Sequence, residues 1–240
     1  MKFSHLICLL CIAICFINFN SKAQVVQPAG VQEQDAEFWT GVELKKEIKD
    51  NVSFSLGQQV RFNNNIQRFK STFTEAGFTF GLDRISDRLK INTSLRYTYS
   101  FSRKRTWRPL LNLSLQLIKN EYAKVNYRIR LQKDLLRFDA EQFDQKFYWR
   151  NKLTVNFKTG KVRPYIGAEI FYNGSNNAKE FDQLRILVGF EYKVKKRQEI
   201  KFGYVYREDF NVNNPGQNNI FQLYWNFEVK DLKKKKKKKS

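Results

Sequence analysis

The chain has 240 residues, a formal net charge of +21 and 15% aromatic residues, with Phe 22 and Tyr 11. All three cysteines (Cys8, Cys11, Cys15), the single histidine His5 and the single methionine Met1 lie within residues 1–23. Everything after Ala23 is therefore without disulfides, thiolate nucleophiles, imidazole bases and the usual zinc ligands, and its excess of cations points to anionic partners.

Residues 1–23 predict a secretory signal peptide. Lys2 opens it, Leu6 to Phe19 form the apolar stretch, and Ser21-Lys22-Ala23 offers small residues before a cleavage at Gln24. No later segment approaches the run of about 18 apolar residues that a transmembrane helix needs, so any membrane crossing after the signal must use strands. A mean hydropathy of −0.59 is compatible with that, because half of each barrel strand faces water.

Residues 24–35 come next, a poor strand because of Pro28 and Gly30. Eleven strands are then predicted at 36–47, 52–62, 70–82, 88–101, 107–118, 123–132, 145–157, 162–172, 182–194, 199–208 and 219–229. The clearest is the fourth. Leu89, Ile91, Thr93, Leu95, Tyr97, Tyr99 and Phe101 share one face, while Arg88, Lys90, Asn92, Ser94, Arg96, Thr98 and Ser100 share the other. Most of these strands reach the length that a tilted strand needs to cross hydrocarbon, whereas soluble strands average about five or six residues.

Short turns alternate with loops along the chain, the loops including Lys133 to Asp144 and Asn173 to Phe181. That rhythm predicts one all-β domain over 36–229, an antiparallel transmembrane β-barrel with turns in the periplasm and loops outside. The first and last of eleven strands would run the same way, so antiparallel closure asks for about twelve strands, with 24–35 as the first, or for ten. Residues 230–240 end the chain as a Lys-rich tail, Lys233 to Lys239, which is read as solvated and without specific nucleic-acid binding.

On the Trp39-Thr40-Gly41-Val42-Glu43-Leu44 strand, its hairpin partner Val52-Ser53-Phe54-Ser55-Leu56, and the Arg96-Tyr97-Thr98-Tyr99 and Tyr127-Arg128-Ile129-Arg130 strands, the chain resembles the domain of unknown function 2490 family. The resemblance implies a secreted outer-membrane-type barrel of Gram-negative bacteria, without an assigned activity or site.

Alternation places Arg88, Lys90, Arg96, Arg128, Arg130, Arg150, Lys152 and Arg185 on the water-compatible face, and these are the candidate anion-contacting residues. Arg61, Arg108, Lys124, Arg163, Lys201 and Arg207 share it, opposed chiefly by Glu43, Glu47, Glu75, Glu169, Glu191 and Glu228. The expected function is an integral outer-membrane barrel with a basic lumen, structural or a passive pore for anionic solutes, with membrane lipid as its partner. No catalytic residue, cofactor or metal is expected. The alternatives are a soluble periplasmic barrel with its apolar face inward around an apolar ligand, and a barrel enzyme. The register also predicts that Leu95→Arg is costly and Ser94→Arg tolerated.

Overall fold

A computed structural model describes residues 33–101, 105–135, 146–175, 178–212 and 215–229. The expected signal peptide, residues 24–32 and the Lys-rich tail lie outside the described residues.

All eleven predicted strands form: β1 Glu33–Lys49, β2 Val52–Asn63, β3 Arg68–Gly81, β4 Leu89–Ser100, β5 Arg105–Lys119, β6 Ala123–Lys133, β7 Phe147–Phe157, β8 Val162–Ser175, β9 Ala178–Lys195, β10 Gln198–Asp209 and β11 Gly216–Val229. Tight turns join them at one end of the barrel. Asn51 supplies a left-handed residue (φ 67°) between β1 and β2, and Gly160 supplies another (φ 85°) between β7 and β8. At the other end β8 and β9 continue through much of the span that the sequence assigns to a loop, with Asn173 opposite Glu180 and Gly174 opposite Lys179. Polar residues there mimic a loop in composition, but the ladder is held by backbone groups and does not depend on side-chain polarity.

The strands close into one barrel in which each pairs with its chain neighbours. Closure joins β1 to β11 in parallel, from Glu33 opposite Gly216 to Lys46 opposite Val229. Eleven strands thus fall between the twelve and ten of the sequence reading, and the expected antiparallel seam is replaced by a parallel one. A parallel pair is slightly weaker per residue than an antiparallel one, yet leaving two edge strands open would expose two full rows of backbone polar groups. A continuous parallel seam removes both edges, so the odd count is tolerated.

Large apolar side chains are prominent on the outer wall and polar ones in the interior. Leu95, Leu111, Leu153, Phe78 and Val188 point outward and are 43–49% exposed. The buried set is largely polar: Glu37, Gln59, Arg96, Asn112, Gln132, Arg150 and Glu169 face the interior. One apolar cluster lies on one wall, where Trp39, Tyr165, Leu187, Val205 and Ile220 meet with Tyr224 against them, and Phe73, Leu110 and Phe171 are buried outside it. Tyr165 lies over Gly189 and Gly203, where a Cβ would come within 2.6 Å and 2.5 Å of its hydroxyl. Those glycines make room for the ring, whose hydroxyl donates to the Phe202 carbonyl at 3.2 Å.

Candidate functional site

Away from the β-bulges, the odd positions of β1–β3 and β8–β10 and the even positions of β4–β7 and β11 face the interior, as the cross-strand register requires. This brings Arg96, Arg128, Arg130, Arg150, Lys152 and Arg185 to one cavity of about 380 Å³, together with Arg61 and Lys201. Three carboxylates, Glu43, Glu75 and Glu169, line the same space. Arg88 and Lys90 stand apart from that group. They border a second cavity of about 510 Å³ at the tight-turn end, with Lys119 and Lys124, and Asp87 is the one carboxylate among its lining residues. Arg128, Lys152 and Lys201 border both cavities.

Ion pairing divides these cations. Arg96 grips Glu75, its Nε 2.8 Å from Oε2, and Ser94 donates to the other carboxylate oxygen at 2.9 Å. Arg128 and Arg150 converge on Glu169 at 3.0 Å and 2.9 Å. Arg163 bridges Glu191 and Glu199 at 3.1 Å and 2.7 Å. By contrast Arg61, Arg130, Lys152 and Arg185 make no ion pair among the described residues, and Arg130 bonds only the amide oxygen of Asn112. A buried cation without a counter-charge is costly unless an anion or water meets it.

At the loop end a third cavity, of about 310 Å³, is lined by Arg108, Asp182 and Asp209 together with Arg61, Arg96, Arg150 and Arg185, which also border the central one. These four shared arginines form a septum between the two spaces, and aromatic faces hold it. Arg96 lies 4.0 Å from the Phe73 ring centroid, Arg61 4.9 Å from Phe73 and 4.0 Å from Trp39. Arg185 lies 5.6 Å from Trp39 and 4.4 Å from Phe171, and Arg150 lies 4.2 Å from Phe171. Each such contact contributes about 0.5–2 kcal/mol and leaves the guanidinium edge free to bind.

Alternation named the charged lumen residues but not their rings: Trp39, Phe73 and Phe171 read as apolar and were not placed with the arginines. Their position parity carries the signal, since Trp39 shares it with Glu43 and Phe171 with Glu169. Glu37 also went unnamed. It is fully buried, accepts from the Trp39 indole at 2.7 Å and from Lys70 at 2.7 Å, and lies 3.3 Å from Arg207. Glu208 and Asp209 close β10, with Asp209 3.6 Å from Arg207. No cluster of three metal-ligating side chains occurs among the described residues.

The outer wall carries aromatic pairs near both ends. Tyr97 with Trp107 (4.8 Å) and Tyr172 with Phe181 (5.3 Å) lie toward the loops, whereas Phe54 with Phe78 (5.3 Å), Phe190 with Phe202 (5.0 Å) and Trp225 with Phe227 (5.2 Å) lie toward the turns. Outward polar groups between them bond one another: Gln58 to Thr72 at 2.6 Å, Tyr127 to Asn151 at 2.7 Å and Tyr204 to Asn219 at 2.6 Å.

The family model described as protein of unknown function (DUF2490) matches residues 36–219. No curated protein matches the chain.

Proposed function

We propose that this chain, which belongs to the DUF2490 family, is an integral outer-membrane barrel whose interior favours anionic solutes. The observation that carries the membrane half of this reading is the sorting of side chains, with an apolar outer wall between two aromatic bands and a charged interior. Barrels solvated by lipid need that arrangement, and a soluble barrel around an apolar ligand needs the reverse. The paired outward polar groups support it too, because hydrocarbon offers no water to satisfy them.

The anionic half rests on the central cavity, where eight cationic side chains face three carboxylates. Such an excess in a confined space of low dielectric sets a positive potential, which concentrates anions and repels cations. The tight-turn mouth extends the same sign through Arg88, Lys90, Lys119 and Lys124. No catalytic role belongs to the proposal.

Fractionation tests the first half: the protein is expected in the outer-membrane fraction, released by detergent, with a gel mobility that changes on heating. Recovery from the soluble periplasm without detergent overturns it. Reversal potentials across a planar bilayer test the second, where anion selectivity is expected and cation selectivity overturns it.

A further inference from the structure

We infer that the arginine–aromatic septum is a binding site for a multivalent oxyanion of the phosphate or sulfate class, seated between Arg61 and Arg185. The two guanidinium groups share the Trp39 indole, at 4.0 Å and 5.6 Å, and neither has a carboxylate partner among the described residues. Arg96 and Arg150, at the ends of the septum, are already neutralised by Glu75 and Glu169. The unmet positive charge is therefore concentrated at its middle.

Donors without acceptors gather at the same place. Nε of Arg61, Nε of Arg185 and the amide nitrogen of Gln59 are buried with no hydrogen-bond partner. All three residues line the central cavity, as does Tyr224. Two guanidinium forks present more donors than one carboxylate has oxygens to receive, and a tetrahedral oxyanion offers acceptors in several directions at once. Cavities of about 380 Å³ and 310 Å³ on either side give such an ion approach and exit. Chloride, with no fork geometry to match, gains only the field.

The site rests on the reading of the interior as reachable by ions, but not on flow across a membrane. The test is isothermal titration of the detergent-extracted protein with inorganic phosphate at constant ionic strength, chloride replacing phosphate in the control. Saturable binding is expected, displaced by sulfate and weakened about tenfold or more in Arg61→Gln and in Arg185→Gln, with the exposed strand-end variant Lys49→Gln unchanged. Arg61→Lys and Arg185→Lys keep the charge and lose the fork, so intermediate weakening is expected from each and guards against a misfolded Gln variant. Absence of saturable binding in the folded native protein overturns the inference, as does binding that survives both Gln variants. Anion-selective conductance with no phosphate binding removes this site and spares the pore; binding without conductance supports the site and removes the pore.

Discussion

Arg150 Nη2 stands 2.9 Å from Glu169 Oε1 inside the barrel, and Glu169 is only 3% exposed. Arg128 reaches the same oxygen at 3.0 Å, while Lys152 and Arg185 are the cross-strand partners of Glu169 on either side. One carboxylate thus pairs with two cations, on β6 and β7, and stands beside two more, on β7 and β9, that it does not ion-pair. Glu169→Gln is expected to cost about 3–5 kcal/mol, as the loss of one member of a buried ionic cluster does. The check is the urea midpoint of the barrel refolded in detergent, and a shift worth under about 1 kcal/mol would mean that water already screens these cations.

The outer wall can be tested with one buried charge. Leu95 faces outward, 45% exposed, near the middle of β4, and Leu95→Arg is expected to cost about 2–4 kcal/mol in a bilayer. Ser94 is no longer the right control. It packs against Gly77, whose added Cβ would lie 2.5 Å from the Ser94 Cβ, and it donates to Glu75. Asn126, which lines the turn-end cavity, is expected to accept Arg at less than about 1 kcal/mol. Folding yields in lipid vesicles rank the two, and the opposite ranking would invert the faces.

The seam can be tested by cross-linking. Thr40 and Leu223 are parallel partners across β1 and β11, and residues 24–240 contain no cysteine. The double variant Thr40→Cys/Leu223→Cys is expected to form an intramolecular disulfide on mild oxidation, giving a faster-running band after heating. Paired strands bring Cα atoms into the range of about 4.4–6.8 Å that a disulfide spans. Folded protein whose two thiols both stay reactive toward a maleimide would reject parallel closure.

Arg130 and Lys152 line the central cavity without ion pairs among the described residues, so their charge is free to act on passing ions. Reversing Arg96, Arg128 and Arg150 also alters the field but breaks their ion pairs with Glu75 and Glu169. The cleaner change is Arg130→Gln with Lys152→Gln. It is expected to lower the anion-to-cation permeability ratio in a salt gradient, since ions in so narrow a space pass within the Debye length of about 8–10 Å. An unchanged reversal potential in a conducting double variant would show that these side chains do not set the selectivity.

The strands were legible because their signal is local. A period of two needs no knowledge of the partner strand, so β4 could be read from Leu89 to Ser100 alone, and the same rule put Arg96, Arg130 and Lys152 on one face. Strand ends were less legible: β8 and β9 run on to Ser175 and from Ala178, because a backbone ladder continues through residues whose composition resembles a loop.

Alternation by itself separates an apolar face from a charged one and is blind to which of them is enclosed. That choice, and the count at which the barrel closes, belonged to the tertiary structure. Thr40 meets Leu223 only once every intervening hairpin has turned, and Arg128 finds Glu169 41 residues away. Which cations end up neutralised, and which stay free on an aromatic face, depends on register among distant strands. Composition counts the charges along the chain, but only closure brings Arg61 and Arg185 to the same indole.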